Sequence, residues 1–171
     1  WNILPTLPSE SQDICFIKEL DYARFISDQY GFKSEPGPIV DIYGRQLGYH
    51  KGLHAYTVGQ RRKIGIPASK PYYVVRIDRE NNRLIVGDKS DLLTSECIVK
   101  EVNWIEEVPY RSSAPVYTRI RYQHQEAESK LTLIDEKTVH VRFFNPQLAI
   151  TPGQCAVFYQ DDRVLGSGWI V

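Results

Sequence analysis

Residues 71–87, PYYVVRIDRENNRLIVG, set the character of the chain that follows them. Tyr72 to Ile77 is rich in aromatic and β-branched residues, Asp78 to Asn82 is polar, and Arg83 to Gly87 is apolar again. Two such runs around a short polar segment read as a β-hairpin. Further strand-like runs occupy 97–104, 116–124, 128–134, 139–144, 154–159 and 163–170, the last two joined by Gln160-Asp161-Asp162. Alternation is clearest in Tyr117-Thr118-Arg119-Ile120-Arg121-Tyr122, the period of a strand with one face buried. No helical periodicity is visible beyond about residue 75. Short strands at this spacing predict a compact antiparallel β-barrel, because closure removes exposed edges.

Upstream of the hairpin the texture is mixed. Tyr22, Phe25, Ile26 and Tyr30 form a helical stripe, with Asp21 placed to cap it and Gly31 to end it. Glu35-Pro36-Gly37-Pro38 breaks the chain, 39–43 is a short strand candidate, and 44–48 reads as a turn. The expected fold is mainly β. A lead-in over 1–20 precedes a small mixed α/β domain over 21–74 and a C-terminal antiparallel β-barrel domain over 75–171. The sequence opens on Trp1 and holds no methionine, so it is read as part of a longer protein.

Of the 171 residues 42% are apolar and 25% charged, the balance of a soluble globular protein. Lys plus Arg and Asp plus Glu both number 21, so any surface for nucleic acid has to be a local patch. No apolar run approaches a bilayer span, and a cytoplasmic protein with no membrane contact is expected. Cys15, Cys97 and Cys155 fit neither a disulfide framework nor, with the four histidines, a metal knuckle, so no metal site is expected. Neither GxxxxGK[ST] nor a GxGxxG opening a helix occurs, and no pyrophosphate loop is present.

The basic stretch is GLHAYTVGQRRKIGI (52–66), where Arg61, Arg62 and Lys63 follow Tyr56, Thr57 and Gln60. Guanidinium, hydroxyl and aromatic groups in this mix suit RNA phosphates and stacked bases, whereas the plainer alternative is a solvated turn. Arg119 and Arg121 share a strand face beside Tyr122, which can clamp a phosphate and stack on a base; the alternative is a solvated barrel face. Gln154, in the turn Thr151-Pro152-Gly153-Gln154, can hydrogen-bond a base edge. Cys15 stands where a polar segment meets an apolar one and is the candidate nucleophile, its alternative being a small buried hydrophobe. Cys97 and Cys155 lie inside strand patterns and read as core.

Taken in order, SQDICFI (11–17), GLHAYTVGQRRKIGI (52–66), PYYVV (71–75), VNWI (102–105), RIRY (119–122), ITPGQCAVFY (150–159) and RVLGSGWI (163–170) resemble the tRNA-specific 2-thiouridylases. The resemblance implies an N-terminal ATP-pyrophosphatase domain, a small central domain and a C-terminal β-barrel, this chain holding the tail of the first and all of the others. It implies a tRNA-uridine 2-sulfurtransferase, in which ATP adenylates the C2 oxygen of the wobble uridine and a cysteine persulfide delivers sulfur as AMP departs. Cys15 occupies the place of the persulfide cysteine. The ATP site and the partner cysteine for disulfide chemistry belong to the N-terminal domain, so these 171 residues alone are expected to be inactive. Contacts to tRNA are implied at Arg121, Tyr122 and Gln154, with Arg61, Arg62 and Lys63 as a further contact. The implied partners are tRNA and a sulfur-relay donor protein. The competing expectation is a non-catalytic RNA-binding or translation-associated β-barrel module in which Cys15 is inert.

Overall fold

The structure, a computed structural model, describes residues 25, 29, 35–67, 69–105, 115–122 and 124–171. Its strands are β1 (Gly37–Asp41), β2 (Gln46–His50), β3 (Tyr73–Asp78), β4 (Arg83–Gly87), β5 (Leu93–Trp104), β6 (Val116–Arg119), β7 (Ala127–Asp135), β8 (Thr138–Leu148), β9 (Cys155–Gln160) and β10 (Arg163–Ile170). They make a four-stranded sheet in the order β2-β1-β4-β3 and a closed six-stranded barrel in the order β10-β5-β8-β7-β6-β9. The fold is mainly β, with an antiparallel barrel behind a mixed sheet.

In the small sheet β1 is antiparallel to β2 and parallel to β4, and β3 is antiparallel to β4. Ile39, Val74, Leu84 and Val86 form its core, and Ile64 reaches in from the loop between β2 and β3. The hairpin read from the sequence as the start of the barrel completes this sheet instead, with Ile39, Val40 and Asp41 opposite Leu84, Ile85 and Val86. A boundary between residues 74 and 75 would cut β3, and the barrel begins at Leu93. The reason is burial. From Leu84 to Gly87 every residue of β4 is buried, which marks a central strand that needs neighbours on both sides. The turn expected over 44–48 is shorter: the Asp41 carboxylate accepts the amides of Tyr43 and Arg45, and β2 starts at Gln46.

The barrel is filled by Val99, Val102, Val116, Ile120, Val139, Val141, Phe143, Ala156, Phe158, Leu165 and Ile170. Trp104 stacks on Phe158 at 5.5 Å between ring centroids. Gly166 has a specific task, since a Cβ there would stand 2.7 Å from the Asn103 carbonyl oxygen and prevent β10 from lying against β5. The buried hydroxyls of Thr118 and Ser129 satisfy one another at 2.7 Å. Cys97 is packed against this core, and burial pushes its thiol up to about 11. Cys155 is half-buried on β9, and both thiols are free. Of the helix expected over 21–32, Phe25 and Gln29 are described, and both are helical. Residues 1–20, Cys15 among them, lie outside the described residues.

Candidate nucleic-acid interface

The basic loop is built outward from His50. Its Nδ1 accepts the Gly52 amide at 3.1 Å, which leaves the proton on Nε2 to be donated to the Asn82 carbonyl at 3.0 Å. A 3-10 turn over Leu53–Ala55 follows. Gln60 then ties the loop to itself: its Oε1 accepts the Thr57 amide at 3.1 Å and its Nε2 donates to the Arg62 carbonyl at 2.8 Å. The backbone of Gly59 and Gln60 brackets Val74 of β3 through two hydrogen bonds of 2.8 and 2.9 Å. Below, buried Ile64 pins the loop to the sheet core. Arg61, Arg62 and Lys63 are left exposed, and none is ion-paired with another described residue. Gln60 is thus a structural residue of this loop, and the cations are its display. Beside them Arg61, Lys63, Lys70 and Tyr72 line a depression of about 520 Å³.

At the barrel, the two arginines expected on one face part company because β6 ends at Arg119. Arg119 serves the barrel wall, paired with Glu126 at 3.3 Å and lying 5.4 Å over the ring of Tyr159. Ile120 is buried, and Arg121 turns to the loop after β8, where its Nη1 donates to the carbonyls of Leu148 at 3.1 Å and Ala149 at 3.5 Å. The Thr151 hydroxyl donates to the same Ala149 oxygen at 3.0 Å, and the Gln154 amide donates to the Thr151 carbonyl at 3.3 Å. Arg121 and the turn carrying Gln154 are therefore joined through one carbonyl. The Gln154 side-chain oxygen is buried without a partner among the described residues, and Tyr122 is 62% exposed.

The two loops meet. A Cβ built on Gly59, which holds φ at 86°, would stand 3.0 Å from the Cβ of Ala149. The basic triplet therefore begins two residues after a glycine packed against the side chain of Ala149, the residue whose carbonyl Arg121 holds. Sequence reasoning missed this junction, which rests on a glycine and an alanine with no chemistry of their own to announce it. It also passed over His124, three residues beyond Arg121. Burial, then Arg121 and Arg119, hold its imidazole below the ordinary histidine range. Among the described residues no cluster of His, Cys, Asp and Glu could hold a metal ion.

Residues 94–170 match the family described as the aminomethyltransferase beta-barrel domain, and residues 23–88 the tRNA methyl transferase PRC-barrel domain. The gap between the two matches falls where the sheet ends and the barrel begins. Curated relatives named tRNA-specific 2-thiouridylase MnmA match over both. That of Desulfosudis oleivorans is 46% identical over 169 residues, 99% of this chain and 47% of its own length. The one from Syntrophotalea carbinolica is 45% identical over 161 residues, covering 94% of this chain and 46% of the relative. For Thermosynechococcus vestitus the identity is 44% over 171 residues, 98% of this chain and 46% of the relative. The chain spans about half the length of the curated relatives it matches. With both barrel families matched in order and the relatives alignable over nearly all its residues, the chain belongs to the tRNA-specific 2-thiouridylase family, of which it carries the central and C-terminal domains.

Proposed function

We propose that this chain is the tRNA-recognising half of a tRNA-uridine 2-sulfurtransferase and contributes the persulfide cysteine, Cys15. The observation that carries the reading is the junction at Gly59 and Ala149, which joins a cationic triplet with no ion pair among the described residues to the loop gripped by Arg121. Arg61, Arg62 and Lys63 take tRNA phosphates, Arg121 a further phosphate, Tyr122 a base face and Gln154 a base edge. In the reaction, adenylation by ATP turns the C2 oxygen of the wobble uridine into a leaving group. The outer sulfur of the Cys15 persulfide attacks C2, the C2–O bond breaks, and AMP leaves. A partner thiol then takes the Cys15 sulfur as the S–S bond to the transferred sulfur opens, which closes a disulfide and balances the electrons. ATP and that thiol belong to the N-terminal domain of the full enzyme; a dithiol reductant supplies two electrons to reopen the disulfide before a sulfur-relay protein reloads Cys15 in the cytoplasm, and the 171 residues alone do not thiolate. No helix among the described residues is long and apolar enough to cross a membrane.

The test is tRNA binding by the chain across a salt series, beside an Arg121→Ala, Gln154→Ala variant. Binding that weakens with salt and is at least about tenfold weaker in the variant supports the assignment. Equal affinities in the two proteins would remove Arg121 and Gln154 from the interface.

A further inference from the structure

The turn between β6 and β7 carries an imidazole that the contacts above do not use. The His124 amide donates to the Arg121 carbonyl at 3.1 Å, which folds residue 124 back beside the arginines. Arg119 and Arg121 face it from β6 and its exit, the backbone of Gln125 from its own turn, and Gln147 from the end of β8. The Gln147 amide nitrogen is committed to the Asn145 carbonyl at 2.6 Å, so its oxygen is the atom left to accept from an imidazole. The nearby carboxylate, Glu126, is committed to Arg119. Nδ1 of His124 is buried without a partner among the described residues. Arg121, fixed by two carbonyls through one nitrogen, has further N–H groups for a ligand.

We propose that His124 is a proton-linked contact for tRNA: a phosphate docked on Arg121 is also met by the His124 imidazolium, so binding takes up one proton from solvent at this residue. The inference rests on the reading that Arg121 contacts tRNA. In the free protein, burial first and then the two arginines disfavour a second proton on the ring, outweighing the hydrogen bonds to the Gln125 backbone and the Gln147 side chain, which favour it. A phosphate reverses the sign of that field and offers an acceptor, both of which favour the imidazolium. The group therefore titrates higher in the complex than in the free protein. Affinity must rise as pH falls through the interval between the two values, and level off on either side.

The experiment measures tRNA affinity of the full chain from about pH 8 to about pH 5.5 at constant ionic strength, for the wild type, H124Q and H140Q. His140 is paired with Glu96 across β5 and β8, outside the proposed contact. The expected result is a wild type that tightens about tenfold on acidification, an H124Q variant that loses that slope, and an H140Q variant that keeps it. In wild type, the ring resonances of His124 should titrate about one pH unit higher with tRNA than without. A wild-type profile flat with pH, an H124Q slope equal to that of the wild type, or a His124 titration unmoved by tRNA overturns the proposal alone. Absence of tRNA binding at every pH overturns the Arg121 contact and the proposal with it.

Discussion

Asp78 shows how single side chains hold this fold together. It closes the β3–β4 turn, accepting from the Arg83 guanidinium at 2.7 and 3.1 Å and from the Asn81 side chain at 3.0 and 3.2 Å. The Arg83 bond first, and then Asn81, hold its carboxyl below the usual carboxylate range. The unfolded chain therefore binds a proton at Asp78 more readily than the folded one. The stabilisation is complete above the ordinary carboxylate value and is lost as pH falls through the folded one. Asp78→Asn should flatten the fall in stability between about pH 4 and pH 2, read from urea midpoints at each pH. At this scale the sequence was informative about residue type and silent about commitment. Arg119 and Arg121 look equivalent in RIRY, and only the end of β6 assigns one to Glu126 and Tyr159 and the other to the Ala149 loop. His124 was visible as a polar residue, but its neighbours Arg119 and Gln147 come from other elements.

Elements were legible where β-branched and aromatic residues ran together, as in β7, β9 and β10, whereas the alternation over 117–122 overran β6, which ends at Arg119. β2 was not legible, because QLGYH is short and centred on Gly48, a residue depleted in strands. Its strand character comes from pairing with β1, from Gly37 opposite His50 to Val40 opposite Gln46. The β3–β4 hairpin was read correctly as a hairpin and assigned to the wrong neighbours, since a local pattern names a strand but not its partner. The loop from 52 to 66 yields the sharpest prediction for an element. Gly59→Val adds a branched side chain at φ 86° and drives it into Ala149. It should cost about 1–3 kcal/mol in a denaturant melt, through backbone strain and a displaced loop. The same variant should weaken tRNA binding with Arg61, Arg62, Lys63 and Arg121 all still in place. Unchanged affinity would show that the junction does not organise the interface.

For the molecule as a whole, the sheet and the barrel keep separate cores with no residue in common. Leu84 is fully buried in one and Phe158 in the other. Leu84→Ala should cost about 2–5 kcal/mol and Phe158→Ala about 3–5 kcal/mol. By hydrogen exchange, Leu84→Ala should raise opening chiefly across 37–87, and Phe158→Ala chiefly across 93–170. Exchange rising equally everywhere in both variants would mean that the two cores open as one. The sequence could not show the parallel register of β1 on β4, which joins residues more than a turn or hairpin apart.

Closure of the barrel also imposes an order in time. β5 is complete on one side only when β10 arrives to place Gly166 opposite Trp104 and Ile170 opposite Val99. β10 is also the last strand of the barrel to be translated. At about 5–20 residues per second, the nascent protein spends seconds with a finished β5 and an unfilled margin beside it. A ribosome paused between β9 and β10 would hold the cylinder open at its seam, so translation speed there governs how long a newborn chain offers that margin to its neighbours.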